Sequence, residues 1–138
     1  MPALPPRDVV RLRHMLEAAS KAVAYTRDFD RSVLDADEMR ALAVVRLLEI
    51  LGEAGRAVSN ETRARYPGIP WRQIAGTRDR LIHGYEAVDL DIVGTIVTAD
   101  LPALVSELVR LGGRVYAVEP GRASLEDRFL QLLREEQV

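Results

Sequence analysis

Arg78-Asp79-Arg80-Leu81-Ile82-His83-Gly84-Tyr85 sets an arginine, a histidine and a tyrosine at the spacing Arg-x4-His-x-Tyr. A guanidinium presents a rigid fork of donors that grips a phosphate, and an imidazole moves protons near neutral pH. Together they suit acid/base work on a phosphodiester, with Arg78 holding the anion and His83 transferring the proton. The chain has two histidines; the other, His14, is expected on the surface of a first helix among Arg11, Arg13 and Glu17. Trp71 to Tyr85 is locally basic, with Arg72, Arg78 and Arg80 against Asp79 alone.

These residues fall near the end of an expected helix from Trp71 to about Ile82. In an unbroken helix, residues five apart are separated by ~140° about the axis, so Arg78 and His83 would not converge on one point. Asp79 and His83, at i and i+4, would share a face, and the carboxylate would hold the imidazole and favour its protonated form. Gly84 is a natural helix stop, which leaves His83 and Tyr85 at the exit. The same residues also fit a solvated helix end, with a capping His and a Tyr packed on a neighbour.

The elements that must position this segment read as helices. Asp8 can cap a first helix running towards Thr26, with Val9, Val10, Leu12, Leu16, Ala19 and Val23 at roughly helical spacing. Arg27 to Ser32 reads as a connection. A second helix, from about Asp37 to Val58, is apolar over most of its circumference. Its polar residues Arg46, Glu49, Glu53 and Arg56 fall at i, i+3, i+7 and i+10, a single stripe. So narrow a polar face implies a central helix or a dimer interface. Gly52 and Gly55 cost this helix about 1 kcal/mol each relative to Ala, which close approach by another helix would offset. The stripe could line a cleft, Glu53 in particular, or simply hold ion pairs.

Asn60 to Pro70 breaks the pattern, with Tyr66-Pro67-Gly68-Ile69-Pro70 as a turn cluster. Trp71 is expected to anchor the core. Asp89 or Asp91 caps a fourth helix carrying Ile92, Val93, Ile96, Val97, Leu101, Leu104, Leu108 and Leu111. Pro102 should kink it, and Gly112-Gly113 should close it. Residues 92–98 have strand-like composition, but the spacing and length favour helix. Ser124 and Asp127 resemble a weak capping box opening a short final helix, Leu125 to Glu136. The expected fold is an all-α antiparallel bundle in a single domain, 1–138, with 113–138 as a C-terminal extension.

The 138 residues suffice for one real core, and 48% hydrophobic content fits an ordinary globular protein. There are no cysteines, so disulfide and thiolate chemistry are excluded. No clustered His, Cys and carboxylate ligands point to a metal, and no cofactor is expected. The N-terminus lacks the pattern of a secretory signal, and no uninterrupted apolar run reaches the ~18 residues of a membrane span, so a cytoplasmic location is expected. A net charge of -2 argues against a broad nucleic-acid-coating face, but leaves room for a local grip on one or two phosphates.

The chain resembles the HepT-like toxins of the HEPN superfamily. The resemblance rests on Gly52-Glu53-Ala54, Pro70-Trp71-Arg72-Gln73-Ile74-Ala75-Gly76, Leu81-Ile82-His83-Gly84-Tyr85, the segment 88–93, and Asp100-Leu101-Pro102, in order from about Val44 to Leu111. It implies a HEPN fold that forms a homodimer or higher oligomer and brings two motif copies into one cleft. It further implies a metal-independent ribonuclease, in which the RNA 2′-hydroxyl attacks the adjacent phosphorus. Arg78 and His83 would be catalytic, Asp79 would orient His83 or hold the interface, and Glu53 and Arg80 would line the cleft. The resemblance also implies a partner, an MntA-like nucleotidyltransferase antitoxin that transfers AMP to Tyr85; on its own, Tyr85 could merely pack or hydrogen-bond. The competing expectations are a non-catalytic HEPN-like dimer that binds RNA or such a partner, and a generic helical dimerisation module.

Overall fold

Pro6 opens the first helix, because its fixed φ and missing N–H suit a helical first turn. In the computed structural model, which describes residues 3–27, 30–83 and 87–118 (backbone alone at 82, 83, 87 and 113–118), α1 spans Pro6–Tyr25. The amides of Asp8 and Val9 donate to the Pro5 carbonyl at 2.9 and 3.1 Å. Asp8 is therefore not the cap expected of it. It lies inside the first turn, 2% exposed, and its carboxylate reaches across the bundle. There it accepts from the Ser59 amide at 3.0 Å and from the hydroxyls of Ser59 and Thr62.

That contact ties the start of α1 to the end of α3 (Glu38–Ala57), so the two long helices run antiparallel. Between them lies α2 (Ser32–Ala36), a one-turn helix beginning where a plain connection was expected. Asp37 caps α3, its side chain accepting from the Arg40 amide, an interaction of about 1 kcal/mol. α1 contributes Leu12, Met15, Leu16, Ala19 and Ala22 to the core, and α3 contributes Ala41, Val44, Leu48, Leu51 and Ala54. The outer face of α3 carries the expected polar stripe. Met39 and Leu42 continue it towards the N-terminus and are 83% and 62% exposed.

Beyond α3, Ser59 caps α4 (Asn60–Arg65), a short helix in a stretch expected to be irregular. The turn at 66–70 follows as expected. Trp71 is buried, and its indole N–H donates to the Tyr66 carbonyl at 3.0 Å. The expected single helix from Trp71 is in fact two, α5 (Trp71–Ala75) and α6 (Thr77–Leu81), divided at Gly76. The Gly76 amide ends α5 on the Arg72 carbonyl at 3.0 Å, and its own carbonyl receives the Arg80 amide at 3.0 Å.

α6 stops at Leu81, short of the glycine expected to end it. The chain then enters a two-residue antiparallel pairing, β1 (Ile82–His83) with β2 (Ala87–Val88), in register Ile82 to Val88 and His83 to Ala87. The Asp89 amide reinforces it, donating to the Leu81 carbonyl at 2.8 Å. Of the two candidate caps Asp89 is the one used, accepting from the amides of Asp91 and Ile92 to open α7 (Leu90–Thr95). Arg31 links this end of the molecule, bridging Asp35 and Asp91 at 2.8 Å each.

A π-helical turn, Ile96–Asp100, leads into α8 (Leu101–Val118). Pro102 explains the irregularity, since it has no N–H to offer the Thr98 carbonyl and the turn before it widens. α8 runs through Gly112-Gly113, where an end was expected; a propensity cost of about 1 kcal/mol per glycine does not by itself stop a helix. The stretch Leu90–Gly112 is long and apolar enough, by length and composition, to cross a membrane. In the bundle its residues Val93, Ile96, Val97, Leu101, Leu104, Val105, Leu108 and Leu111 are core. The result is an all-α helical bundle. The final helix expected at Leu125 to Glu136 lies outside the described residues.

Burial pushes the Asp8 carboxyl up, but the hydrogen bonds from Ser59 and Thr62, with Arg7 nearby, outweigh burial and hold it below the usual carboxylate range. A lowered folded-state pKa adds stability that is present above the unfolded value and is lost as pH falls through the folded one. Acid denaturation titrations should therefore show wild-type stability falling below about pH 4, with a shallower fall in Asp8→Asn. Asp8→Ala should lose about 2–4 kcal/mol at neutral pH in denaturant unfolding, because the Ser59 amide and Thr62 hydroxyl are left without their acceptor.

Candidate active site at the exit of α6

The motif helix is placed by a seam between α3 and α5. A Cβ at Gly52 would lie 3.0 Å from the Ile74 carbonyl oxygen and 3.5 Å from Thr77 Cβ. At Gly55 it would lie 2.6 Å from Ile74 Cγ2, a distance that real side chains essentially never show. The expected close approach by another helix is thus made by α5, with Ile74 as the residue that enters. Thr77 is buried at the same seam, and its hydroxyl donates to the Gln73 carbonyl at 3.1 Å.

From this fixed start α6 projects its polar residues outward. Arg78 and Asp79 are exposed, and neither side chain bonds to another described residue. Arg80 is half-exposed and pairs with Asp100 of the π-turn at 3.7 Å, a solvent-exposed contact of small energetic value. Glu53 is exposed on α3, next in sequence to Gly52. The i, i+4 relation expected between Asp79 and His83 does not exist, because the helix ends at Leu81 and His83 belongs to the extended pair. The side chain of His83 and the whole of Gly84 and Tyr85 lie outside the described residues. His14 is exposed on α1, as expected of it.

Of the polar stripe on α3, Arg46 and Glu49 form an ion pair at 3.2 Å. Arg56 instead donates from Nη2 to the Ala75 carbonyl at 2.9 Å, a contact that the sequence pattern did not reveal. Arg63 was likewise missed. Its Nη2 donates to the carbonyls of Gly55 and Arg56 at 3.1 and 2.6 Å, closing the last turn of α3. Asp100, the partner of Arg80, could have been suspected from the Asp-Leu-Pro segment, but not its role. Among the described residues no three His, Cys, Asp or Glu side chains are grouped to hold a metal ion. A separate cleft of about 210 Å³ lies between Arg65–Ile69 and the Glu107–Leu111 stretch of α8, and none of the candidate residues lines it.

Within this helical bundle Arg78 lies on α6 and His83 on the short strand pairing that follows it. The chain belongs to the Ribonuclease HepT-like family, a HEPN family whose match covers residues 15–111. It is 36% identical to the candidate RNase MJ1380 of Methanocaldococcus jannaschii over 97 residues, 70% of this chain and 89% of that one. It is 35% identical over 100 residues to the probable ribonuclease HepT of Thermococcus cleftensis, covering 70% and 91% of the two chains. A candidate RNase of Caldanaerobacter subterraneus, TTE0752, is 32% identical over 93 residues, 67% of this chain and 83% of that one. No solved structure matches.

The seam gives a direct test. Gly55→Val should lower stability by more than about 2 kcal/mol in urea unfolding, since Ile74 cannot move away without opening the α3–α5 contact. Wild-type stability in this variant would mean that α5 is not held where the structure places it.

Proposed function

We propose that this chain is a metal-independent endoribonuclease, the toxin of a toxin–antitoxin pair, acting in the cytoplasm as a homodimer. Its family and the names of its relatives support action on RNA. The observation that carries the assignment of the site is the exposure of Arg78 on a helix whose base packs closely against the glycines of α3. A cation held this way, with no described partner, is organised in advance for a phosphate.

In the reaction, the ribose 2′-oxygen bonds to the adjacent phosphorus and gives its proton to a base. The bond from phosphorus to the 5′-oxygen breaks, and that oxygen takes a proton from an acid. The products are a 2′,3′-cyclic phosphate and a 5′-hydroxyl. His83 from one or both protomers serves as base and acid, Arg78 neutralises charge on the phosphoryl oxygens, and Asp79 orients His83 or holds the interface. Two motif copies in one cleft would supply both proton-transfer groups. Met39 and Leu42 would give the second copy an apolar contact on the stripe that carries Glu53 and Arg56.

The cognate partner is an MntA-like nucleotidyltransferase antitoxin. The Tyr85 hydroxyl attacks the α-phosphorus of ATP in that partner's site, pyrophosphate leaves, and the added AMP occupies the anion site beside Arg78.

Cleavage of cellular RNA in EDTA, by protein whose intact mass shows Tyr85 unmodified, tests this function. Arg78→Ala and His83→Ala should each lower the rate at least about 100-fold, while Arg78→Ala changes stability by less than about 0.5 kcal/mol. Failure of the unmodified dimer to cut any cellular RNA would favour the non-catalytic binding protein instead.

A further inference from the structure

α5 and α6 have five residues each, too few to hold a direction of their own. Whatever fixes the break between them fixes where Arg78 points. The floor of that break is the Gly52–Ile74–Thr77 contact. At the end of α5, the Arg56 side chain reaches the Ala75 carbonyl.

We propose that Arg56 is a positioning residue for the motif: through the Ala75 carbonyl it sets the angle between α5 and α6, and hence the placement of Arg78. Ala75 is the last residue of α5, so its carbonyl is among those that a helix end leaves in need of a donor. Arg56 Nη2 supplies one at 2.9 Å. Arg56 is itself held at the last turn of α3, where Arg63 grips the carbonyls of Gly55 and Arg56 from α4. The result is a relay of side-chain to main-chain hydrogen bonds from α4 through α3 to α5, ending three residues before Arg78. Because Arg56 is exposed, this relay adds little to global stability. Its effect is local, and displacement of a catalytic group by about 1 Å can cost up to about 100-fold in rate.

The proposal rests on Arg78 acting on RNA, and its test separates the two claims. Full-length wild type, Arg56→Ala and Arg56→Lys are compared in steady-state cleavage of a short RNA and in native-state amide exchange. Arg56→Ala should lower kcat about tenfold with KM within about twofold, and Arg56→Lys, which can still donate to the Ala75 carbonyl, should recover most of the loss. Exchange should accelerate at residues 76–81 in Arg56→Ala and stay unchanged in α1, α3 and α8. An unaltered kcat overturns the proposal. So does a change confined to KM and salt dependence, which would make Arg56 a direct phosphate contact, and so does accelerated exchange throughout the bundle, which would make it a stability residue. If unmodified wild type cuts no RNA, the nuclease reading fails on that arm, and amide exchange alone decides the role of Arg56.

Discussion

Two missing side chains on α3 determine where the candidate active site can be. Without a Cβ at Gly52 and Gly55, Ile74 of α5 comes within contact of the α3 backbone, and Thr77 follows it into the same groove. Any larger residue would push α5 outward, and α6 and the hairpin after it would move too. The cost is about 1 kcal/mol of helix propensity per glycine, borne by a helix packed well enough on α1 to tolerate it. The rigid base leaves Arg78 and Asp79 free of structural duties, so neither need hold the fold together.

The ends of the frame are fixed by buried polar contacts rather than by apolar packing alone. Asp8 gathers the amide and hydroxyl of Ser59 and the hydroxyl of Thr62, so one carboxylate sets the α3–α4 corner against the start of α1. Arg63 closes the same corner from the other side through the Gly55 and Arg56 carbonyls. A carboxylate this well solvated by donors remains charged inside the protein, which couples the geometry of the corner to pH. The corner stands about one turn from Gly55 and two from Gly52, so it also steadies the seam.

Much of this was legible in the sequence because it depends on periodicity and on residues with strong local preferences. The long helices, the turn at 66–70, the Trp71 anchor and the close approach at Gly52 and Gly55 all follow from spacing and backbone preference. What escaped has a common cause, which is long-range pairing. Asp8 looks like a local cap, and only the fold brings Ser59 and Thr62 to it. Trp71 to Ile82 reads as one helix, but with Thr77 packed near Gly52 the chain divides at Gly76. Leu81 ends α6 early because its carbonyl pairs with the Asp89 amide, eight residues away. Of the motif itself, types and spacing were readable while direction was not, because direction is set by α3.

If RNA engages the exit of α6, its binding footprint must lie there. A short RNA with a 2′-deoxy sugar at the cleavage position cannot be cut, so its complex with the unmodified protein is stable enough to map by amide resonance shifts. Perturbations should centre on Arg78 and Asp79, the His83 and Ala87–Asp89 backbone, and Glu53 and Arg56 of α3. Shifts confined to the cleft between Arg65–Ile69 and α8, with α6 silent, would contradict engagement there.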